Sequence, residues 1–420
     1  MPHPVPAVTI DSDRLVRRLS ELAAIGGVDG THGCSRLALT DEDREGRDLV
    51  VAWMRDLGLD VTIDRIGNVV ATTHHAPGRS PVMTGSHIDT VREGGRYDGN
   101  LGVLAGLEVI ESVLAADTAL ERSLAVAFFT DEEGARFAPD MLGSLVYVGG
   151  LQLESALEIR AADGAVLGDE LDRIGYSGSA PVPGVVPHAF VELHIEQGPV
   201  LDDAGIDIGV VEGVQGISWT EVTLTGQARH AGTTPMHLRR DAGRAAVEIA
   251  VGVRGIADEL GGAQVATVGA LDLTPNLVNV VPSSARLTVD LRNTDEALLQ
   301  KAEQMLADLV ARIAADEKVE VETRSLARFE PVVFHPQVVD LVGEVAAGRG
   351  LSVRAMPSGA GHDAQMMARV CPSGMVFVPS VDGVSHNVAE FTGVDDLANG
   401  TQVLADTLLR LTATDFEETA

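Results

Sequence analysis

This sequence predicts an α/β fold interrupted by a smaller α+β unit, on three observations. Two apolar runs, VMTGSHIDTV and LAVAFFTDEEG, pass directly into polar residues, as buried strands do where a ligand lies beyond their carboxyl ends. Helical and strand-like stretches alternate over residues 1–215 and resume over 327–420. Between them, residues 216–326 change character to long period-two strands and two long helices, a compact α+β unit. With 420 residues the chain is long enough for two domains, and an insertion is tolerated where the host termini lie close together.

The elements follow in order. Residues 1–10 are proline-punctuated and expected to pack lightly. Asp11 or Ser12 caps a helix from Asp13, with Leu15, Leu19 and Leu22 on one face. After the GGVDGTHGCSR loop, Thr40 caps a second helix that ends near Gly58. VTIDRIGNVVATTH reads as two short strands joined at Gly67. Leu101–Leu114 is a helix packed on the sheet, and Ser123–Phe129 an apolar strand. FAPDMLGSLVYVGG reads as a loop and the next segment as a short helix. VELHIEQ alternates, putting Glu192, His194 and Glu196 on one side and apolar residues on the other. The inserted unit then runs ISWTEVTLTGQA (strand), RRDAGRAAVEIAVGVRGIADEL (helix), VATVGALDL (strand), PNLVNVVPSSARLTVDLR (loop and strand), Glu296–Ala315 (helix) and VEVETRSLARF (strand).

Chemistry gathers between Thr84 and Glu133, where His87, Asp89, Asp98, Glu132 and Glu133 stand beside small or turn-forming residues. His87 and Asp89 would share one side of a strand; if the chain turns there, the Asp89 carboxylate would instead orient the imidazole through its second nitrogen. Imidazole and carboxylate both suit borderline cations, and one carboxylate can bridge two of them. The plainer alternatives are a satisfied histidine after a strand and a solvated acidic helix start. Further polar islands are His194 with Gln197 at a strand end, the small-residue approach SGAG before His362 and Asp363, and His386 after Ser385.

Composition narrows the partners. Asp and Glu number 62 against 31 Lys and Arg, a formal charge of -31, which argues against nucleic acid and anionic membranes. A small anionic substrate stays open, because the field inside a cleft is set locally. Two cysteines, Cys34 and Cys371, make no disulfide framework. The start lacks a basic, then apolar, leader pattern and no apolar run is long enough to span a bilayer, so the expected location is cytoplasmic.

GSHIDTV, the DG of GGRYDGNLGV, DEEGARF, HIEQGPVL, GQARHAGTTPM, PNLVNVVP, DLR, SGAGHDA and GVSHN together resemble the amidohydrolase branch of the M20 metallopeptidase superfamily, over roughly residues 11–415. That branch contains N-carbamoyl-L-amino-acid hydrolases, allantoate amidohydrolases and β-ureidopropionases. The resemblance implies a metal-binding domain with a central mixed sheet flanked by helices, plus an inserted domain that dimerises the protein and closes over the site. It implies two divalent cations per subunit (zinc, manganese, cobalt or nickel), with His87 and His194 as terminal ligands, one on each ion, Asp98 as the bridge, and Glu133 and His386 completing the set. By the same resemblance Asp89 orients His87 and Glu132 is the general acid–base. His230, Asn279 and Arg292 contact the substrate, His230 in the partner subunit's site, while Gln197, Gly361 and His362 shape the pocket. On the residues alone, a solvated Arg292 and a core hydrogen-bonding Asn279 remain alternatives. The activity implied is hydrolysis of the ureido C–N bond of N-carbamoyl-L-amino acids. Allantoate and then ureidopropionate are the rival substrates, and a catalytically silent metal-binding dimer is the rival class.

Overall fold

The computed structural model describes residues 8–76 and 78–416; the first part of the proline-punctuated start, residues 1–7, lies outside them. The chain divides into two compact units, residues 1–212 with 334–420, and residues 213–333.

The first unit opens with α1 (Ser12–Ala24), whose cap Asp11 accepts the Arg14 amide, and α2 (Asp41–Asp56), where Thr40 accepts the Asp43 amide. Both caps satisfy a donor that the first helical turn leaves without a partner. Next come β1 (Asp60–Ile63), β2 (Val69–Thr72), β3 (Val82–His87), α3 (Asn100–Ala115) and β4 (Leu124–Phe129). Three short helices follow, α4 (Leu142–Tyr147), α5 (Leu153–Leu157) and α6 (Leu167–Ile174), then β5 (Ala189–Ile195), α7 (Val200–Ala204) and β6 (Ile208–Val214). The segment expected to be a loop therefore contains a helix, α4, whose apolar Leu142 and Val146 are buried. Six residues give too little periodicity to read from sequence.

The second unit holds β7 (Gly216–Thr225), β8 (Arg229–His230), α8 (Ala242–Leu260), β9 (Val265–Thr274), β10 (Val280–Val281), β11 (Ser284–Asn293), α9 (Glu296–Glu317), β12 (Glu320–Phe329) and β13 (Val332–Val333). Its four-stranded sheet runs β12-β7-β11-β9, antiparallel throughout. Leu224, Leu287 and Leu291 from the sheet pack with Ile249, Val253, Leu306 and Val310 from the two helices in a core of their own. The expected junction at 326 falls inside β12.

The chain then completes the first fold with α10 (Pro336–Gly348), β14 (Val353–Ser358), α11 (Asp363–Met367), β15 (Ser373–Val378) and α12 (Val394–Thr412). The large sheet runs β1-β2-β4-β3-β5-β15-β6-β13, with β14 also on β6. Pairing is parallel across β4-β3-β5-β15 and antiparallel towards both edges, so the sheet is mixed and helix-flanked, as expected. The central strands β3, β4, β5 and β15 are buried along their whole length. Helices on both faces explain this, and they explain why the expected one-sided alternation of VELHIEQ does not hold: β5 is covered on both sides and stops at Ile195. Glu196, beyond its end, accepts the Val200 and Leu201 amides at the start of α7. Helix α3 is apolar almost all round and buried, as a helix wedged inside a core must be.

Candidate metal centre

The parallel strands all end at one rim of the sheet, and that rim carries the site. His87 is the last residue of β3, while His194 lies one residue before the end of β5. Asp98 precedes α3, Glu132 and Glu133 follow β4, and His386 follows β15 by way of a short helical turn. The topology gathers residues up to about 300 positions apart because each strand end delivers one polar group to the same place.

Asp98 is at the centre. Its Oδ1 lies 3.1 Å from His194 Nε2 and 3.7 Å from His87 Nε2, and its Oδ2 lies 3.3 Å from His386 Nε2. His386 Nε2 is also 3.2 Å from Glu133 Oε2. Two sets of ligand atoms share Asp98, His87/Asp98/His194 and Asp98/Glu133/His386, and a further group joins Glu192, His194 and His362, the atoms of each lying within 4.8 Å of one another. His87 and His194, expected on different ions, therefore fall in one set, because β3 and β5 are adjacent parallel strands that end side by side. The chemistry of the donors fits cations well. Main-chain carbonyls fix the Nδ1 protons of both buried imidazoles, Asp89 O for His87 at 2.9 Å and Ile195 O for His194 at 2.8 Å, so each Nε2 faces the cage. These clustered ligand sets indicate a binuclear metal-binding site.

Electrostatics agree with a cage that draws positive charge. Burial opposes charging His194, yet Asp98 raises it to about 9; Asp98 and Glu133 raise His386 to about 11. Burial resists ionisation of Asp98, but hydrogen bonds from His194 and His386 hold it well below the carboxylate range. Glu132 goes the other way. Burial first, then the negative charges of Asp363, Glu133 and Asp98, push it well above its ordinary value. It belongs to neither ligand set, and its Oε2 lies 3.4 Å from His87 Nε2.

One expected role changes. The atom orienting His87 is the Asp89 main-chain carbonyl; the Asp89 carboxylate stands 3.9 Å from Nδ1. That carboxylate instead lies 3.4 Å from the amides of Glu132 and Glu133, tying the acidic loop to the His87 loop. The chain turns straight after β3, so residue 89 does not continue the alternation of the strand.

Around the centre, Gln197 Nε2 donates to Asp98 Oδ2 at 2.9 Å, while its Oε1 is buried without a partner among the described residues. His362 packs edge-on to His194, and its Nε2 is 2.8 Å from Ser358 Oγ. Burial and the charge of His194 hold His362 well below the usual histidine value. Gly361 faces the Met141 side chain, which a Cβ would approach to 2.9 Å. Gly99, at φ +64°, is required more strictly: a Cβ there would lie 2.3 Å from the His87 ring.

His230, Asn279 and Arg292 belong to the second unit. His230 in β8 pairs with Val280 in β10, and Asn279 O accepts the Ala231 amide, so His230 and Asn279 are neighbours. His230 Nδ1 accepts the amides of Gly232 at 3.0 Å and Thr233 at 3.2 Å, which leaves its proton on Nε2 as a donor. Asn279 is exposed, so the core reading of that amide fails. Arg292 is not simply solvated: it forks onto Asp290, with Nη2 at 2.8 Å, and lies over the Trp219 ring.

Sequence reading missed the groups beneath the site. Arg36 is fully buried and donates to Ile88 O, Leu22 O, Ile25 O and Asn100 Oδ1, bracing the His87 loop. Arg47 is buried against Asp43 and reaches Gly67 O and Thr130 Oγ1, below the acidic loop. Glu192 in β5 accepts from Ser86 Oγ and the Ala364 amide, and Glu390 holds the Asp98 loop. In the sequence Arg36, Arg47 and Glu390 look like ordinary surface charges. Only a charge inside an otherwise apolar strand, as at Glu192, gave a signal.

Comparison with known proteins places the chain in one family. Residues 83–410 match the model for peptidase family M20/M25/M40. An N-carbamoyl-L-amino-acid amidohydrolase of Rhizobium meliloti is 40% identical over 402 residues, 95% of this chain and 96% of that protein. An N-carbamoyl-L-amino acid amidohydrolase of Geobacillus stearothermophilus is 39% identical, covering 96% and 99%. The crystal structure of an amidase of the hydantoinase/carbamoylase family from Burkholderia multivorans superposes with a TM-score of 0.94 at 43% identity, covering 98% of this chain and 100% of that one. With strand ends, shared carboxylate and full-length likeness in agreement, the chain belongs to peptidase family M20/M25/M40, in its hydantoinase/carbamoylase amidase branch, and is a hydrolase.

Proposed function

We propose that this enzyme hydrolyses the ureido C–N bond of N-carbamoyl-L-amino acids, releasing the amino acid, carbon dioxide and ammonia. The observation that carries the reading is one carboxylate, Asp98, shared by two ligand sets beside a non-ligand acid, Glu132, in a chain like N-carbamoyl-L-amino-acid amidohydrolases along nearly its whole length.

A ureido carbonyl is a weak electrophile because two nitrogens donate into it. Two divalent cations, when bound, lower the pKa of water, in favourable cases to about 7, and polarise the carbonyl. Zinc, manganese, cobalt and nickel all suit His87, Asp98, Glu133, His194 and His386. Glu132 takes the proton of the attacking water and passes it to the leaving nitrogen. Its buried, acid-rich setting raises its proton affinity, and neighbouring cations draw it back. Gln197 Oε1, without a partner, is suited to accept a ureido N–H. On the second unit, the Nε2 proton of His230 stabilises the developing oxyanion, Arg292 pairs with the α-carboxylate and Asn279 adds a hydrogen bond. The carbamate left behind breaks down to carbon dioxide and ammonia.

We further propose a homodimer in which His230 completes the partner's site. In support, β9 is an edge of its sheet with no second neighbour among the described residues, and α8 exposes Val247 and Val251. A reducing, cytoplasmic setting is supported by two buried free cysteines, and among the described residues no helix is long and apolar enough to cross a membrane.

The decisive assay uses metal-reconstituted enzyme with carbamoyl-L- and carbamoyl-D-amino acids, ureidopropionate and allantoate, following amine and ammonia together. Equimolar amine and ammonia from the L-series, at the highest kcat/KM, is expected. Faster turnover of allantoate or ureidopropionate would reject the assignment.

A further inference from the structure

The two ligand loops that meet at Asp98 are joined by a residue outside both ligand sets. Glu390 is buried, 3% exposed, and each of its oxygens is engaged. Its Oε1 accepts the main-chain amides of Tyr97 at 3.0 Å and Asp98 at 3.2 Å. Its Oε2 accepts from Ser385 Oγ at 3.0 Å, and that hydroxyl also lies 3.3 Å from Asp98 Oδ2. Ser385 precedes His386, which is held at φ +52°, a conformation that L residues rarely adopt and that needs support from its surroundings. A single carboxylate thus fastens the backbone that presents Asp98 to the turn that presents His386, across 288 positions of sequence.

Gly95 supplies an independent observation. A Cβ built at that residue would lie 1.9 Å from Glu390 Oε1 and 2.0 Å from its carboxyl carbon, and its three nearest atoms all belong to Glu390. The glycine is the space through which this side chain reaches the Asp98 loop.

We propose that Glu390 is a positioning residue that fixes Asp98 and His386 as one rigid pair of ligands, with Gly95 acting only through it. The inference rests on the two-cation reading of the site. Two consequences follow from the geometry. The ion held by Asp98, Glu133 and His386 depends on Glu390 more than the ion held by His87, Asp98 and His194, which β3 and β5 already anchor. A glutamine can stand in for Glu390, because its oxygen can accept both amides while its NH2 donates to Ser385 Oγ, whose own proton then turns to Asp98.

The test titrates metal-free protein with Mn2+ alone, and follows Co2+ by its ligand-field absorption. Wild type is expected to take two ions per subunit. Removing a group that supports ligands typically weakens metal binding about 10–100-fold, and this is expected for one ion only in Glu390→Ala. Glu390→Gln stays within a few-fold of wild type. Gly95→Ala reproduces the Glu390→Ala loss in the wild-type background but adds nothing to it in the Gly95→Ala/Glu390→Ala double variant. If Glu390→Ala does not fold, Glu390→Gln and Gly95→Ala decide the matter by the same titration.

Unchanged affinity for both ions in Glu390→Ala or in Gly95→Ala would overturn the inference. So would a Glu390→Gln variant as impaired as Glu390→Ala, or a Gly95→Ala effect that persists undiminished without Glu390. Wild type binding fewer than two ions would instead overturn the two-cation reading itself.

Discussion

The metal centre and the loop bearing His230 are built in opposite ways. At the rim of the large sheet His87, His194 and Asp98 are almost wholly buried, the histidines are fixed by main-chain carbonyls, and a layer of buried Arg36, Arg47, Glu192 and Glu390 lies beneath. In the second unit His230 and Asn279 are exposed and held by a local turn, and Arg292 is held by an acid two residues away on its own strand. Interlocked buried charges give a centre that is preorganised at the cost of desolvation. Exposed groups cost little and can meet a ligand as it arrives. Damage to the first region should therefore appear in metal content and stability, and damage to the second in substrate handling alone.

The largest expected effect strikes the centre without touching its ligands. Glu132→Gln should keep two ions by metal analysis and lose roughly 10²–10⁴-fold in kcat, the usual contribution of a general acid–base. Emptied sites would make Glu132 a ligand. His230→Ala should lose about 10²–10³-fold in kcat, as an oxyanion donor does, with metal content and Tm unchanged. If His230 acts in the partner's site, mixing His230→Ala and Glu132→Gln subunits restores activity through one intact site per heterodimer. Confirmed heterodimers without rescue would reject the sharing.

The contrast also explains what the sequence could and could not reveal. The strand-end groups after β3 and β4 were legible because an apolar run that passes directly into polar residues is a local pattern, whereas His194 was singled out by an alternation that the fully buried β5 does not keep. The alternating strands of the second unit were legible for the same reason. Arg36 and Glu390 were not, since their partners are main-chain groups 52 and 293 residues away and only the tertiary fold brings them together. Asp89 shows the finer limit: its part in the site was legible, but which of its atoms meets His87 depends on where the strand turns.

Acidity should sharpen the comparison further. In metal-free protein the nitrogens of His194 and His386, raised to about 9 and about 11, hold protons at neutral pH that an incoming cation must displace. Metal affinity should therefore rise with pH, by up to about tenfold per unit for each proton released, and calorimetry in buffers of different ionisation enthalpy would count those protons. A pH-independent affinity would contradict the cage as drawn. The stability of metal-free protein carries the same sign. Raised histidines contribute fully below their unfolded value of 6.5 and lose that contribution as pH climbs through about 9, so its Tm should fall over this window.

The smallest effects come from Arg292, and they test whether the second unit is merely waiting for substrate. Its fork onto Asp290 engages Nε and Nη2, so a substrate carboxylate would compete with Asp290 for the guanidinium. Arg292→Ala should cost carboxylate-bearing substrates about 1.5–3 kcal/mol in kcat/KM, the range for hydrogen bonds to charged groups, and spare an uncharged amide analogue. Asp290→Asn should act in the opposite sense. Removing the competing charge while keeping the side-chain shape leaves Arg292 readier to pair, so KM for carbamoyl amino acids should fall a few-fold with kcat little changed. If Asp290 instead aims the guanidinium at the substrate, KM rises in Asp290→Asn, and the pair is a fixed part of the site that the substrate joins without displacing it.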